Sequence, residues 1–387
     1  MPRTPRQPIL IDPPKRVLVA INAEHVVGRR ILEGIADYAD QHRRWQLYLE
    51  LTSQHEMALL DHVDGMIVSL ELESIRQLAR RSTVPRVQVT GPLEPDSPVA
   101  VVADNHAVGA MGAHYLADLG LKHLYFVLAQ GGVYSEHRAA GFMEAARLRR
   151  VTAEVVNAKR SANSRLLRQD LSALPTPAGV MVATDRMALE VSRACRLIGK
   201  RIPEQVALLG VDNETEICRL VDPPLTSIDH GPRRIGYEAA RLLDEWMMTD
   251  RPPERLVTVR PIGVVPRQST DLLAIDDPDV VAAIRFIRSN FREGIKVKDV
   301  LNHVAVSRRS LEMRIRAALD RTIHDEIMRV RIDRAKQLLA TSEWEMPHIA
   351  AECGFSLPSQ FSFVFKRETA ETPQAFRRRH RYAARRN

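Results

Sequence analysis

Through the first 270 or so residues, short apolar runs rich in branched side chains alternate with apolar residues at helical spacing, a pattern that few folds accommodate. Residues 17–21 (VLVAI) open the series, and Val27, Ile31, Ile35 and Tyr38 follow on one helix face. Further runs stand at 65–70, 85–90, 123–128, 179–184 and 206–211. Between them Val108, Met111, Tyr115 and Leu119 mark one helix, and Met187, Val191, Ala194 and Ile198 mark another. A strand that is apolar at nearly every position must be covered on both faces, and the connecting helices provide that cover in parallel sheets. The expected fold class is therefore α/β, two-lobed, with parallel sheets around a cleft. In such sheets ligands bind beyond the carboxyl ends of the strands. That rule selects Asn22, Asp104 and Asn105, Thr184 and Asp185, Asp212 and Asn213, with Arg138 opening the helix after 123–128. Asp185 has a plainer reading as the cap of the helix that follows it, and so does Asp104; for Arg138 the plain alternative is a surface ion pair.

At 268–278 (QSTDLLAIDDP) the alternation stops, and beyond it the spacing is helical with no convincing strand. Val297, Val300, Leu301 and Val304 share a face. A turn follows at 305–306, and Ser307 can cap a second helix carrying Leu311, Ile315 and Leu319. The plan recurs with Ile349, Ala350 and Cys353, then Gly354, then Ser356 as cap for a helix carrying Phe361, Val364 and Phe365. Two helix-turn-helix units are thus expected, over about 297–318 and 346–368. Ile323, Ile327, Val330 and Leu338 lie on one face of a long helix between them. Phe361, Phe363 and Phe365 read as core.

Charge agrees with this division. From Phe291 onward there are 20 basic and 12 acidic side chains, which leaves 36 of each sign before it. A neutral body with a basic end is the footprint of a module that meets phosphate. The outward positions of the second helix in each unit are the base-reading candidates: Ser307, Arg308, Arg309, Ser310 and Arg314 in the first, and Pro358, Ser359, Gln360, Ser362 and Lys366 in the second. Arginine suits guanine and glutamine suits adenine. Lys366 and the run at 377–379 meet either phosphates or solvent.

Cys195, Cys218 and Cys353 lie far apart, with neither metal-ligand spacing nor a disulfide framework, so a reducing cytoplasm is expected and neither metal nor cofactor is implied. The N-terminal MPRTPRQPILIDPPK lacks an apolar core of signal-peptide length, and no segment approaches a membrane span. There is no P-loop, no GxSxG elbow and no HExxH motif, so an enzyme is not expected. Two other rivals are a DNA-repair methyltransferase, which needs an activated cysteine, and an exported sugar-transport binding protein.

In order along the chain, residues 102–109 (VADNHAVG), Gly120, 138–142 (RAAGF), 183–188 (ATDRMA) and 209–214 (LGVDNE) resemble the landmarks of the sensor domain of LacI/GalR-type regulators. The resemblance implies that Arg138 and Asp212 hold sugar hydroxyls. Thr184 stands where many members carry an amide; Asn213 and Asn22 are secondary candidates. Such regulators begin with a helix-turn-helix of their own, whereas a strand starts at once here. Residues 349–355 (IAAECGF), 361–367 (FSFVFKR), Thr372-Pro373 and the stretch 331–339 resemble the AraC/XylS DNA-binding domain, with Ile315 in place of a usual aromatic and Asp320 in place of a common glycine. The pairing is similar to regulators of the xylose-operon type. It implies an activator of carbohydrate catabolism governed by D-xylose or a related aldose, binding double-stranded DNA as a homodimer, with RNA polymerase as a partner. A repressor, or a sensor of another sugar, is the alternative. The expected domains are a sensor over 14–268, a linker over 269–280 and a DNA-binding domain over 281–387. Within the sensor, the first lobe covers about 14–121 and 230–252, and the second about 122–229 and 253–268.

Overall fold

A computed structural model of the chain describes residues 13–42, 45–50, 62–71, 73–91, 93, 99–129, 132–157, 165–253 and 256–380. They divide into two compact units, one from the residues up to 102 with 235–257, the other from 103–234 with 258–383.

The first unit alternates β1 (Lys15–Ala20), α1 (Val26–His42), β2 (Trp45–Glu50), β3 (Gly65–Ser69), α2 (Glu73–Arg81), β4 (Arg86–Thr90) and β5 (Val99–Ala103). β2, β1, β3, β4 and β5 lie side by side in that order, all parallel. Every residue of β3 is buried, as a strand covered on both faces requires. Ile31, Ile35 and Tyr38 form the buried face of α1, the expected spacing.

The second unit repeats the scheme with α3 (Asn105–Ala117), β6 (His123–Leu128), α4 (Val133–Leu148), β7 (Thr152–Asn157), α5 (Arg165–Ala173), β8 (Ala178–Val182), α6 (Asp185–Leu197), β9 (Val206–Val211), α7 (Thr215–Leu220) and β10 (Thr226–Asp229). After α8 (Pro232–Thr249) and β11 (Leu256–Val259), which edges the first sheet beside β5, β12 (Gly263–Val265) pairs antiparallel with β10. The order β12-β10-β9-β8-β6-β7 reverses at β6, so the carboxyl ends of β6 and β8 flank a topological switch point. The chain enters this unit at the end of β5, ahead of the boundary expected near 121, because Val108, Ala113 and Leu116 of α3 are buried in the second core with Phe126 and Phe142.

Helices follow: α9 (Pro278–Asn290), α10 (Val297–Val304), α11 (Arg308–Leu319), α12 (Ile323–Thr341), α13 (Met346–Glu352), α14 (Pro358–Thr369) and α15 (Pro373–His380). One core holds them, with Leu311, Ile315, Ile323, Ile327, Phe361 and Phe365 at its centre. Burying each such side chain stabilises by roughly 1.5–3 kcal/mol. Ser307 caps α11, accepting from the Ser310 N–H at 3.3 Å, and Asp320 ends it in the left-handed conformation at φ 56°, both as expected. Ser356 does not cap α14. Leu357 occupies that place with no side-chain bond, and Pro358 starts the helix, where its missing N–H costs nothing. Phe363 is a second correction: Phe361 and Phe365 are buried, but Phe363 is 69% exposed.

The segment expected as a linker is docked along its length. Leu272 and Ala274 pack on the sensor core while Leu273 and Ile275 pack on the helical core, an extended alternation serving two sides. Ala274 N–H donates to the Leu119 carbonyl at 2.8 Å, and Ser269 donates to the Leu208 carbonyl at 2.6 Å.

Candidate functional site

Gly109 on α3 and Gly141 on α4 decide where Arg138 sits. A Cβ on Gly109 would lie 1.8 Å from the Arg138 carbonyl oxygen, and one on Gly141 would lie 2.0 Å from that of His106. Only hydrogens allow the two helices this close. Arg138 is in the second turn of α4, which starts at Val133, so it does not open the helix as the sequence reading had it. Its side chain is directed at the strand ends. Nε donates to Asn105 Oδ1 at 2.9 Å, Nη1 donates to the Ala183 carbonyl at 2.5 Å, and the guanidinium lies 5.0 Å from the centre of the Tyr134 ring. Burial pulls the Arg138 pKa down, opposed by Asp212 and Tyr134.

Asp212 follows β9 and faces Arg138, with Nη1 to Oδ1 at 3.8 Å. The two residues are 4% and 8% exposed, so the pair is nearly out of water. His230, just past β10, brings Nε2 within 3.3 Å of Asp212 Oδ1. The alignment is too poor for a hydrogen bond: neither ring nitrogen of this buried histidine has such a partner among the described residues. Asp212 and Asn213 have φ of 107° and 50°, a conformation that costs on the order of 1–3 kcal/mol outside glycine and is found where function fixes the backbone. Aspartate and asparagine bear it best.

The other strand-end candidates serve the frame. Thr184 is the N-cap of α6, accepting from Met187 N–H at 3.4 Å, and this overturns the expectation that Asp185 is the cap. Asp185 is buried one position later, over Gly210. It accepts from Ser227 Oγ at 2.6 Å, Glu214 N–H at 2.8 Å and Cys218 Sγ at 3.3 Å, tying three strand ends together. Burial, then the Asp212 carboxylate, push the Asp185 carboxyl up to about 8. Asp104 does cap α3, through Ala107 N–H at 2.9 Å. Asn213 accepts from Arg267 at 2.8 Å and donates to Asp229 at 3.4 Å. Asn22, in the first unit, accepts from Glu24 N–H at 3.0 Å. Sequence reasoning missed Tyr134 and His230. The strand-end rule reaches His230 once β10 is known, and helical spacing reaches Tyr134, four residues before Arg138 on α4.

At the helical end, Ser307, Arg308, Arg309, Pro358, Ser359, Gln360, Ser362 and Lys366 are exposed, and Ser310 is half-buried. Arg314 differs from its group. It is held by Asp277 at 3.1 Å and Asp279 at 3.0 Å, which fastens α11 to the start of α9. Arg378 is exposed and Arg377 donates to the Trp344 carbonyl at 2.5 Å. All three cysteines are buried and unbridged; burial pushes Cys195 up to about 11 and Cys353 up to about 12, opposite to an activated nucleophile. Among the described residues no helix is long and apolar enough to cross a membrane, and no group of acidic, histidine or cysteine side chains is placed to hold a metal.

Comparison with known proteins bears on both ends. Residues 16–105 match the XylR N-terminal domain, 113–270 a periplasmic binding protein-like domain, and 300–379 a helix-turn-helix domain. The chain is 28% identical to the xylose operon regulatory protein of Haemophilus influenzae over 379 residues, covering 94% of this chain and 98% of that one. The Escherichia coli K12 protein of the same name is also 28% identical, over 94% and 96%. A solved structure described as the xylose-binding transcription activator XylR is 26% identical, with a TM-score of 0.59 over 94% of this chain and 97% of that one. The CelR regulator in complex with cellobiose is 23% identical, with a TM-score of 0.55 over 67% and 86%, and shares the sensor fold. Three consecutive domain matches, full-length relatives and the two-part architecture converge: this chain is a XylR-like DNA-binding transcription regulator, a LacI/GalR-type sensor followed by an AraC-type helix-turn-helix domain.

Proposed function

We propose that the chain activates carbohydrate-catabolism genes in response to D-xylose or a related aldose, acting in the cytoplasm as a homodimer on two half-sites of double-stranded DNA, with RNA polymerase as its downstream partner. The observation that carries the effector reading is the buried Arg138–Asp212 pair at the carboxyl ends of the second sheet. A sugar hydroxyl both donates and accepts. A guanidinium offers N–H groups and a carboxylate offers lone pairs, so the pair matches neighbouring hydroxyls without demanding a charged ligand. His230 adds a ring nitrogen without a hydrogen bond among the described residues, and Tyr134 an aromatic ring beside the guanidinium. The choice of D-xylose rests on the names of the full-length relatives.

Ligand alters the DNA-binding end only in so far as it binds one conformation more tightly than another. A thermal-shift series of pentoses, hexoses and phosphorylated sugars on the purified chain tests the effector, because a specific ligand raises the midpoint by mass action. A selective shift with D-xylose is expected. A shift with another sugar alone corrects the ligand and keeps the site, and silence across the series removes the sugar-sensor reading.

A further inference from the structure

With Pro358 rather than Ser356 opening α14, the two recognition helices align fifty positions apart, Arg308 with Pro358. In that register Leu311 matches Phe361 and Ile315 matches Phe365, all four buried. The register also pairs Met313 with Phe363. These are 67% and 69% exposed, large apolar side chains turned to solvent at the same place in both units. A lone exposed apolar residue carries no message. Two at equivalent positions of a repeated device are a different matter, and each lies one helical turn beyond an expected base-reading residue, Arg309 or Ser359, on the same face.

We propose that Met313 and Phe363 read DNA by apolar contact, each packing on the 5-methyl group of a thymine in successive major grooves. Thymine is the base whose major-groove edge presents an apolar group, so it is the partner such side chains select. The polar neighbours fix the helices against other bases, and Met313 suits a less strictly placed methyl because its thioether side chain adapts. α12, whose Ile323, Ile327 and Leu338 are buried in the common core, joins the two units, so the two thymines should fall about one helical turn apart, ~10 base pairs. The inference rests on the DNA-binding reading of residues 300–379 and adds to it which base is read and by which side chains.

The test starts with the full-length chain selecting duplexes from a random pool. In the enriched duplex each thymine is then replaced, one at a time, by deoxyuridine, which removes only the methyl. Two positions about ten base pairs apart should each lose about fourfold in affinity, the value of one buried methyl. Phe363→Ala should abolish the sensitivity at one and Met313→Ala at the other, with thermal midpoints unchanged since neither side chain is buried. An enriched duplex without methyl-sensitive thymines, or sensitivities that survive both substitutions, would overturn the proposal while leaving DNA binding intact. Substitutions that spare sequence selection but abolish transcription would overturn it too, by assigning the pair to a protein partner. Failure to enrich any sequence would remove the DNA-binding reading and the proposal together.

Discussion

Helix α3 holds buried charge at both of its ends, and the two clusters are built on different terms. At its N-terminal end Arg138 meets Asp212 at 3.8 Å, beside a histidine with neither ring nitrogen hydrogen-bonded among the described residues. At its C-terminal end Asp118 takes ion pairs from Arg149 at 2.8 Å and from Arg321 of the helical domain. Arg321 continues to Glu326 at 3.0 Å; Arg329 clasps both oxygens of Glu326 at 2.7 and 2.9 Å and reaches Asp333 at 3.1 Å. Glu326 is 1% exposed. Burial alone would raise its pKa, but Arg329, then Arg321 and Arg288, hold it below the usual carboxylate range. The second cluster is closed: its charges answer one another at hydrogen-bond distance, and its work is to fasten the helical domain to the sensor, alongside Gln337 donating to the Val264 carbonyl at 2.7 Å. The first is left open in the chemical sense, with polar groups taken from water and only partly satisfied by protein. Burying polar groups without full compensation is costly, and the proposed role of this cluster as the sugar site would account for its retention.

Removing one member of each cluster should break the comparison most visibly. Glu326→Ala takes from Arg321 and Arg329 their shared anion, leaving Arg321 with Asp118 and Arg329 with Asp333, and should cost about 1.5–3 kcal/mol of unfolding free energy, the value of hydrogen bonds to a charged group. Asp212→Asn keeps the shape and tolerates the left-handed backbone but takes the carboxylate from the buried Arg138, whose hydrogen bonds to Asn105 and the Ala183 carbonyl remain, so chemical denaturation should register a loss smaller than that of Glu326→Ala. Calorimetric titration of that variant with the sugar found by thermal shift should show about 10- to 100-fold weaker binding, as loss of a charged hydrogen-bond partner implies. If Glu326→Ala unfolds no more easily than Asp212→Asn, the closed cluster is not the fastening it looks to be; if Asp212→Asn binds sugar normally, Asp212 leaves the site.

A dependence on pH separates Asp185 from its neighbour Asp212. The folded chain raises the Asp185 carboxyl to about 8, so from about pH 4, where an unfolded aspartate loses its proton, up to about pH 8 the folded state binds more protons than the unfolded one. Stability should therefore fall as pH rises through that window and level off above it. Asp185→Asn keeps an oxygen for Ser227 or Glu214 and should flatten this part of the profile. Denaturant midpoints between pH 5 and 9 for both proteins measure it, and equal slopes would show Asp185 to be ionised throughout.

What the sequence made legible follows from how each feature is encoded. Strands apolar at nearly every position, such as 123–128 and 206–211, emerge with the bounds the structure gives them, because burial on both faces leaves little other choice of composition. β2 and β7 lie at sheet edges and mix polar with apolar residues, and β10 and β12 are very short, so none of them forms a long continuous apolar run. That Arg138 and Asp212 are brought face to face was legible because the landmark glycines and strand ends are local in sequence. His230 reaches the same place from a later strand, a proximity that only the fold supplies, whereas Tyr134 stands four residues before Arg138 on α4 and follows from helical spacing. The cap errors are shifts of one residue: Thr184 and Asp185 are both good caps, and what decided was that Asp185 is wanted under three strand ends. Phe363 shows the limit of periodicity, since alternate phenylalanines in a helix cannot all face one core.

The finest contrast lies within the first recognition helix, between Arg309 and Arg314. Arg309 is exposed, whereas Arg314 is already held by Asp277, the N-cap of α9, and by Asp279. A side chain paired twice within the protein has to give up both partners before it meets a phosphate or a base, so it should stay where it is. Arg314→Ala should lower stability by under about 1 kcal/mol, as half-exposed pairs do, and leave the salt dependence of DNA binding unchanged. Arg309→Ala should leave stability alone and, if the side chain meets the backbone, reduce the slope of log affinity against log salt by about one. Binding isotherms across a range of salt for the two variants separate the roles. A slope lowered by Arg314→Ala would return that residue to the DNA face and show that duplex binding pulls α11 away from its anchor on α9.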